Sequence, residues 1–276
     1  MKVHHLNCGT MRPLGGRLVS GRGSVLRTAE VVCHVLLLET DDGLVLVDSG
    51  MGLEDVRNPG PTLPRHWRLL SRPVLDERET AVRQVEALGF RASDVRHVVL
   101  THLDLDHGGG LRDFPHAEVH VLAEELAAAT RPGKKGNDKT RYPDHQWSHG
   151  PRWTPYEATG ESWFGFESVR EVRPDILLVP LAGHTRGHTG VAVRTGDRWL
   201  LHAGDSYFFH GEMAAQPHCP PGLVFMQKLM DTLPEDRLSN QDRLRALVRA
   251  HGDEISVFSA HDPVELRRHQ QAAPIA

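Results

Sequence analysis

No part of this sequence runs for about 18 apolar residues, the length a bilayer-spanning helix needs, so no membrane span is expected. The N-terminus, Met1-Lys2-Val3-His4-His5-Leu6-Asn7-Cys8, has none of the apolar core of a secretory leader, and a cytoplasmic location is expected. Cysteine is scarce. Cys8, Cys33 and Cys219 are odd in number, scattered and without a CxxC pair, which argues against a disulfide framework and against a thiolate zinc site, and fits a reducing compartment. Positive charge is not in excess either: 32 Lys and Arg against 36 Asp and Glu leave a formal charge of −4. Neither nucleic acid nor an anionic membrane is therefore an expected partner.

What is present fits a globular protein. With 276 residues, 39% hydrophobic and 25% charged, the chain suits one layered α/β domain spanning 1–276. Val31 to Glu39 is a nearly continuous apolar run, as in a strand covered on both faces. Asp41-Asp42-Gly43 turns it into Leu44-Val45-Leu46-Val47, and polarity arrives with Asp48-Ser49-Gly50. Asp48 reads equally as a turn former or as a group that orients a site residue. Residues 54–75, with four prolines, read as an irregular excursion. Ala81, Val82, Val85 and Leu88 have helical spacing, and Val95 to Leu100 reads as a strand. Further strands are expected at Glu118 to Leu122, Ile176 to Val179, Gly190 to Val193, Trp199 to Ala203 and Glu254 to Ser259. A helix opens near Ser239, and residues 206–236 read as loop. Between them, Arg131 to Gly165 is polar, aromatic and weakly periodic, either an insertion that walls a pocket or a surface loop packed on its own aromatics.

Histidine is abundant, at 19 residues, and its positions are informative. Thr101-His102-Leu103-Asp104-Leu105-Asp106-His107 packs four metal-capable side chains into six residues at a strand end. Gly108-Gly109-Gly110 follows, marking a turn approached closely by something else. Three more strand ends carry histidine or aspartate beside glycine or proline: Gly183-His184-Thr185-Arg186-Gly187-His188, Gly204-Asp205 and Ala260-His261-Asp262-Pro263. Together they suffice for two metal ions, and histidine with carboxylate but no cysteine suits zinc, iron or manganese.

In order and spacing these segments resemble the metallo-β-lactamase fold superfamily, in particular glyoxalase II and the N-acyl homoserine lactonases, whose pattern is H-x-H-x-D-H, then G-H-T-x-G-H, then an aspartate, then a late histidine. The resemblance implies a four-layer αβ/βα sandwich, two mixed sheets flanked by helices, with the metals at one edge. By that similarity His102, Asp104 and His188 hold one metal, Asp106, His107 and His261 the other, and Asp205 bridges them, with His184 left as a structural or orienting residue. Asp104 departs from the pattern, which has histidine there; two divalent ions are expected, zinc first, with iron or manganese as alternatives because an anionic ligand makes the site harder.

Two such cations share a water and lower its pKa from 15.7 to about 7, giving a bridging hydroxide for attack on a carbonyl. In mononuclear operation Asp106 is the group expected to orient the water or relay its proton. Tyr207, just past Asp205, is a candidate donor to the developing oxyanion, although in the lactonases the tyrosine falls three residues after the bridging aspartate, where this chain has Phe208. The expected substrate is a small-molecule lactone or ester. Thioester hydrolysis of the glyoxalase II kind and phosphodiester cleavage (the latter because of Lys134, Lys135, Lys139 and Arg141) are the alternatives. A di-iron oxidoreductase is the alternative of a different class.

Overall fold

The computed structural model describes residues 1–272, the side chains of Asn137 and Ser168 excepted. Its first sheet holds, in spatial and chain order, β1 (Lys2–Met11), β2 (Val31–Thr40), β3 (Gly43–Val47), β4 (Val95–Val99), β5 (Glu118–Leu122) and β6 (Arg152–Tyr156). The second runs β12 (Ile255–Phe258), β11 (Arg198–His202), β10 (Thr189–Thr195), β9 (Ile176–Pro180), β8 (Phe166–Arg173) and β7 (Glu161–Trp163). Both are mixed: β3 to β6 are parallel and β1 to β3 antiparallel, while β12 joins β11 in parallel and its other neighbours pair antiparallel.

The apolar run of β2 is divided between two cores by its twofold alternation. Leu36 and Leu38 face the second sheet, meeting Ile176, Leu178, Val191, Val193 and Phe258. Val35 and Leu37 face outward, onto Val82 and Val85 of the helix Ala81–Ala87 and Ala129 of the helix Ala123–Thr130. The second sheet is covered likewise, with Leu244 and Leu247 of the helix Pro234–His251 on Val179, Ala192 and Leu201. These contacts make the four expected layers, helix, sheet, sheet, helix. Among the described residues no helix is long and apolar enough to cross a membrane.

Three stretches are more ordered than expected. Residues 54–75 contain the short helices Leu53–Arg57, Pro59–Thr62 and Arg65–Ser71. Within 206–236 lies the ten-residue helix Pro221–Met230. Its proline at the first helical position is a start signal, because that N–H has no intrahelical partner anyway. The helix opening near Ser239 begins earlier, at Pro234, for the same reason. In the 131–165 stretch, Arg152 to Tyr156 pairs with β5. Pro155 is tolerated there because β6 is the edge strand of its sheet.

Leu37 is fully buried and Leu26 is 89% exposed. Replacing Leu37 by alanine is expected to cost about 2–5 kcal/mol of unfolding free energy. Leu26→Ala should stay within about 0.5 kcal/mol. Urea titration followed by circular dichroism checks both.

Candidate metal centre

The carboxyl ends of β3, β4, β11 and β12, with the loop from β9 to β10, deliver their polar residues to one edge of the sandwich. Asp205, 1% exposed, is at the middle. Its Oδ1 lies 3.2 Å from His107 Nε2 and 3.2 Å from His261 Nε2. Its Oδ2 lies 3.3 Å from His184 Nε2 and 3.8 Å from His102 Nε2. Asp106 joins on one side, 3.8 Å from His261 Nε2. Asp104 joins on the other, 3.0 Å from His184 and 3.5 Å from His102.

The imidazoles are aimed by what their other nitrogens touch. His107 Nδ1 is 2.8 Å from Asp48 Oδ2, and His261 Nδ1 is 2.7 Å from the carbonyl of Val32. His102 Nδ1 is 3.0 Å from the Thr101 hydroxyl, which itself donates to Asp48. Asp48 thus takes the orienting role, and its positive φ of 59° marks a backbone held in place by these bonds. The glycines after the motif serve the same end. A Cβ on Gly110 would lie 2.5 Å from the carbonyl oxygen of Ser49, so the close approach is made by the Asp48-Ser49-Gly50 loop.

Burial alone would raise the Asp205 carboxyl, yet His261, His107, His184 and His102 hold it well below the usual carboxylate range. Asp104 is held low in the same way, against its burial, by Arg141 and by His102 and His184. Meanwhile His102 Nε2, His107 Nε2 and Asp205 Oδ1 are buried without hydrogen-bond partners. Buried polar atoms are rarely left so, and three converging lone-pair donors beside carboxylates fit divalent cations.

Two sequence expectations fail on this geometry. His188 has no nitrogen to spare: Nδ1 is 2.9 Å from the carbonyl of Leu181, and Nε2 accepts the Asp205 N–H at 2.9 Å. It supports Asp205 through the backbone, and His184 is the histidine of that loop facing the cluster. Tyr207 also points elsewhere. Fully buried, it donates its hydroxyl to Glu265 at 3.0 Å, and it is Phe208 whose ring lies against His184 and His261. In the loop after β11 the two rings go to different partners, Tyr207 to Glu265 and Phe208 to the histidines.

Two residues here escaped the sequence reading. Glu125, fully buried, accepts from Leu103 N at 2.9 Å, Tyr142 at 2.9 Å, Thr185 at 2.7 Å and Gly187 N at 3.2 Å, tying the 101–107 loop to the 183–188 loop. Arg141 places Nε 3.1 Å from Asp104 Oδ1 and donates to the carbonyls of His184 and Met230 and the hydroxyl of Thr232. Neither belongs to a motif. Arg141 was visible only as part of a basic cluster, of which Lys134 is also internal, bonded to Asp144 at 2.6 Å.

Residues 28–257 match the family model of the metallo-beta-lactamase superfamily. The chain belongs to that superfamily. A probable metallo-hydrolase of Mycobacterium tuberculosis is 43% identical over 267 residues, covering 95% of this chain and 81% of the relative. An N-acyl homoserine lactonase of Azorhizobium caulinodans is 34% identical over 243 residues, covering 85% and 83%. Among solved structures, an N-acyl homoserine lactone hydrolase with the product N-hexanoyl-L-homoserine at its catalytic metal centre superposes with a TM-score of 0.70 at 22% identity, over 97% of this chain and 95% of that one. The superfamily membership and these relatives make the chain a metallo-hydrolase, and the superfamily implies divalent metal ions.

Asp48→Asn keeps the shape of the group that orients His107 and removes its charge. A loss of about 10–100-fold in metal affinity is expected, read by competition with a chromogenic chelator. Tyr207→Phe should leave kcat within about tenfold and cost about 1–3 kcal/mol of stability, because Glu265 loses a buried partner; steady-state kinetics beside thermal unfolding separates the two effects.

Proposed function

We propose that this metallo-hydrolase is binuclear and opens a small-molecule lactone or cleaves a small ester. His102, Asp104 and His184 would hold one cation, Asp106, His107 and His261 the other, with Asp205 between them. The observation that carries the reading is Asp205, whose two oxygens lie within 3.8 Å of four imidazoles drawn from both sets. Zinc suits these donors, and the carboxylate of Asp104 also admits iron or manganese.

Bound divalent cations supply Lewis acidity and an acidified water. The chain's part is to fix charge and direction. Asp48, Thr101 and the Val32 carbonyl lock three imidazoles before substrate arrives, so little reorganisation remains for the reaction. Asp106, 8% exposed at the rim of the cluster, is the residue placed to hold or pass on a proton. Phe208 gives the centre an apolar wall, its ring against His184 and His261 and backed by a buried core of Val19 and Leu223, which suits an acyl substituent better than a phosphate. The wall and the lactonase relatives support a carbonyl substrate. The internal engagement of Arg141 and Lys134 takes two cations away from any phosphodiester-binding surface. We take residues 1–276 as one catalytic unit, its last four residues lying outside the described ones, and the 131–165 segment as the part that brings Arg141 to the pocket.

Asp104 and Arg141 act together in this reading: the arginine offsets the charge that an aspartate adds where the family has histidine. Arg141→Met is expected to cost about 3–5 kcal/mol and to lower metal content, since it strands a buried carboxylate. Adding Asp104→His to Arg141→Met should restore much of both. Chemical denaturation with metal analysis reads the pair, and equal losses in the single and double variants would sink the charge-balance argument. The substrate class is tested by a panel of acyl lactones, aryl esters, thioesters, bis-p-nitrophenyl phosphate and a β-lactam with zinc, manganese and iron. Lactone and ester turnover is expected. Turnover of the phosphodiester alone would overturn the reading, as would an iron-dependent visible spectrum without hydrolysis.

A further inference from the structure

A second set of ligand-bearing side chains lies at the other end of β4 and β5. The parallel register sets His97 opposite Glu118 and Val99 opposite His120, so the twofold alternation puts both histidines and the glutamate on one face. That face looks toward the second sheet, where Val99, Leu122 and Tyr156 continue it. The set is roughly 15 Å from the catalytic centre by strand rise, five residues upstream of His102.

His97 Nδ1 lies 3.0 Å from His120 Nε2 and 3.7 Å from Glu118 Oε2, and the three donor atoms fall within 4.8 Å of one another. Ligand atoms around a tetrahedral zinc, at bonds of about 2.0–2.2 Å, sit roughly 3.3 Å apart, so small movements suffice. The remaining nitrogen of His120 is 2.9 Å from the Tyr156 hydroxyl, the kind of partner that fixes a ligand's tautomer and turns Nε2 toward His97, whose hydrogen bond a cation between the two would replace. Burial pushes both imidazoles toward the neutral form that a metal needs, His97 downward and His120 down to about 4. Of the nearby cations, Arg173 pairs with Asp42 at 2.6 Å, while Arg152, 3.6 Å from Glu118 Oε1, shares that carboxylate and leaves Oε2 to the histidines. His97 is 8% and His120 3% exposed, while the Glu118 side chain, at 43%, opens a path from solvent.

We propose that His97, Glu118 and His120 form a third metal site, separate from the catalytic centre, which takes a zinc-class divalent cation and clamps β4 to β5. The site lies outside the hydrolytic machinery, so its loss should leave turnover unchanged.

The test uses the full-length enzyme and zinc itself. Zinc per chain is measured after equilibration and gel filtration for the wild type, Glu118→Gln and His120→Gln, with circular dichroism confirming the fold. Each variant is expected to lose one equivalent while keeping its activity, and zinc-edge anomalous diffraction should show a peak among the three side chains in wild-type crystals. Glu118 is half-exposed, so its variant keeps the test sound even where His120→Gln unfolds. Equal zinc content in the wild type and Glu118→Gln, or no anomalous peak at the site, overturns the proposal. An Asp205→Asn variant, which weakens the catalytic centre alone, should retain the third equivalent, so failure of the binuclear reading remains distinguishable.

Discussion

A fully buried carboxylate ringed by four imidazole nitrogens is an arrangement that the rest of this protein exists to support. Desolvating one carboxylate costs several kcal/mol even after relaxation, and a protein bears that cost only where compensating charge is fixed beside it. Asp205 meets the condition through four histidines from three separate segments, His102 and His107, His184, and His261. No single loop could bring them together. Two sheets packed face to face, with their strand ends at one edge, do so, and the interdigitated Leu36, Leu38, Ile176 and Val191 between the sheets keep that edge in register.

Much of the rigidity comes from groups that touch no reacting atom. Asp48 accepts from the backbone and hydroxyl of Thr101 and lies on His107, so one carboxylate settles the directions of two consecutive segments. Glu125 does the same across the sheets, joining Leu103 to Thr185 and Gly187. Removing either would leave buried donors unpaired, which costs more than a single hydrogen bond contributes. Because the loops are held by side chains lying far apart in sequence, the site is rigid without being local.

That division explains what could be read in the sequence. The strands β2 to β5 and β9 to β12 were legible because an apolar run or an alternating pattern has few other interpretations, while β6 to β8 carry no such pattern and were not. The 102–107 cluster was legible because its density has almost none. His184 and His188 were not separable that way: both sit in one glycine-bounded motif, and only the hydrogen bonds of His188 to Leu181 and Asp205 show which imidazole is spent. Tyr207 was misplaced for a similar reason, since proximity to Asp205 in sequence says nothing about which side of the backbone a ring takes. The helix Pro221–Met230 was hidden by its own start signal, prolines that read as loop. Glu125 left no trace, being an ordinary residue in an ordinary helix, and Arg141 showed only as one of several basic residues in an aperiodic segment.

Arg141 changes what the one departure from the family pattern means. Taken alone, an aspartate in place of a histidine adds a negative charge to a centre already rich in carboxylate. In the folded chain a guanidinium, held by the carbonyls of His184 and Met230, stands 3.1 Å from that aspartate. The carboxylate and the guanidinium together carry no net charge, as a neutral imidazole at that position would. The carboxylate oxygen facing His184 and His102 keeps its donor character, while the other is tempered by the arginine. A guanidinium stays charged at any pH the protein meets, so the balance does not shift with conditions. The aspartate is then one half of an ion pair whose other half comes from the 131–165 segment, so that segment reaches the histidine cluster as directly as the 102–107 motif does.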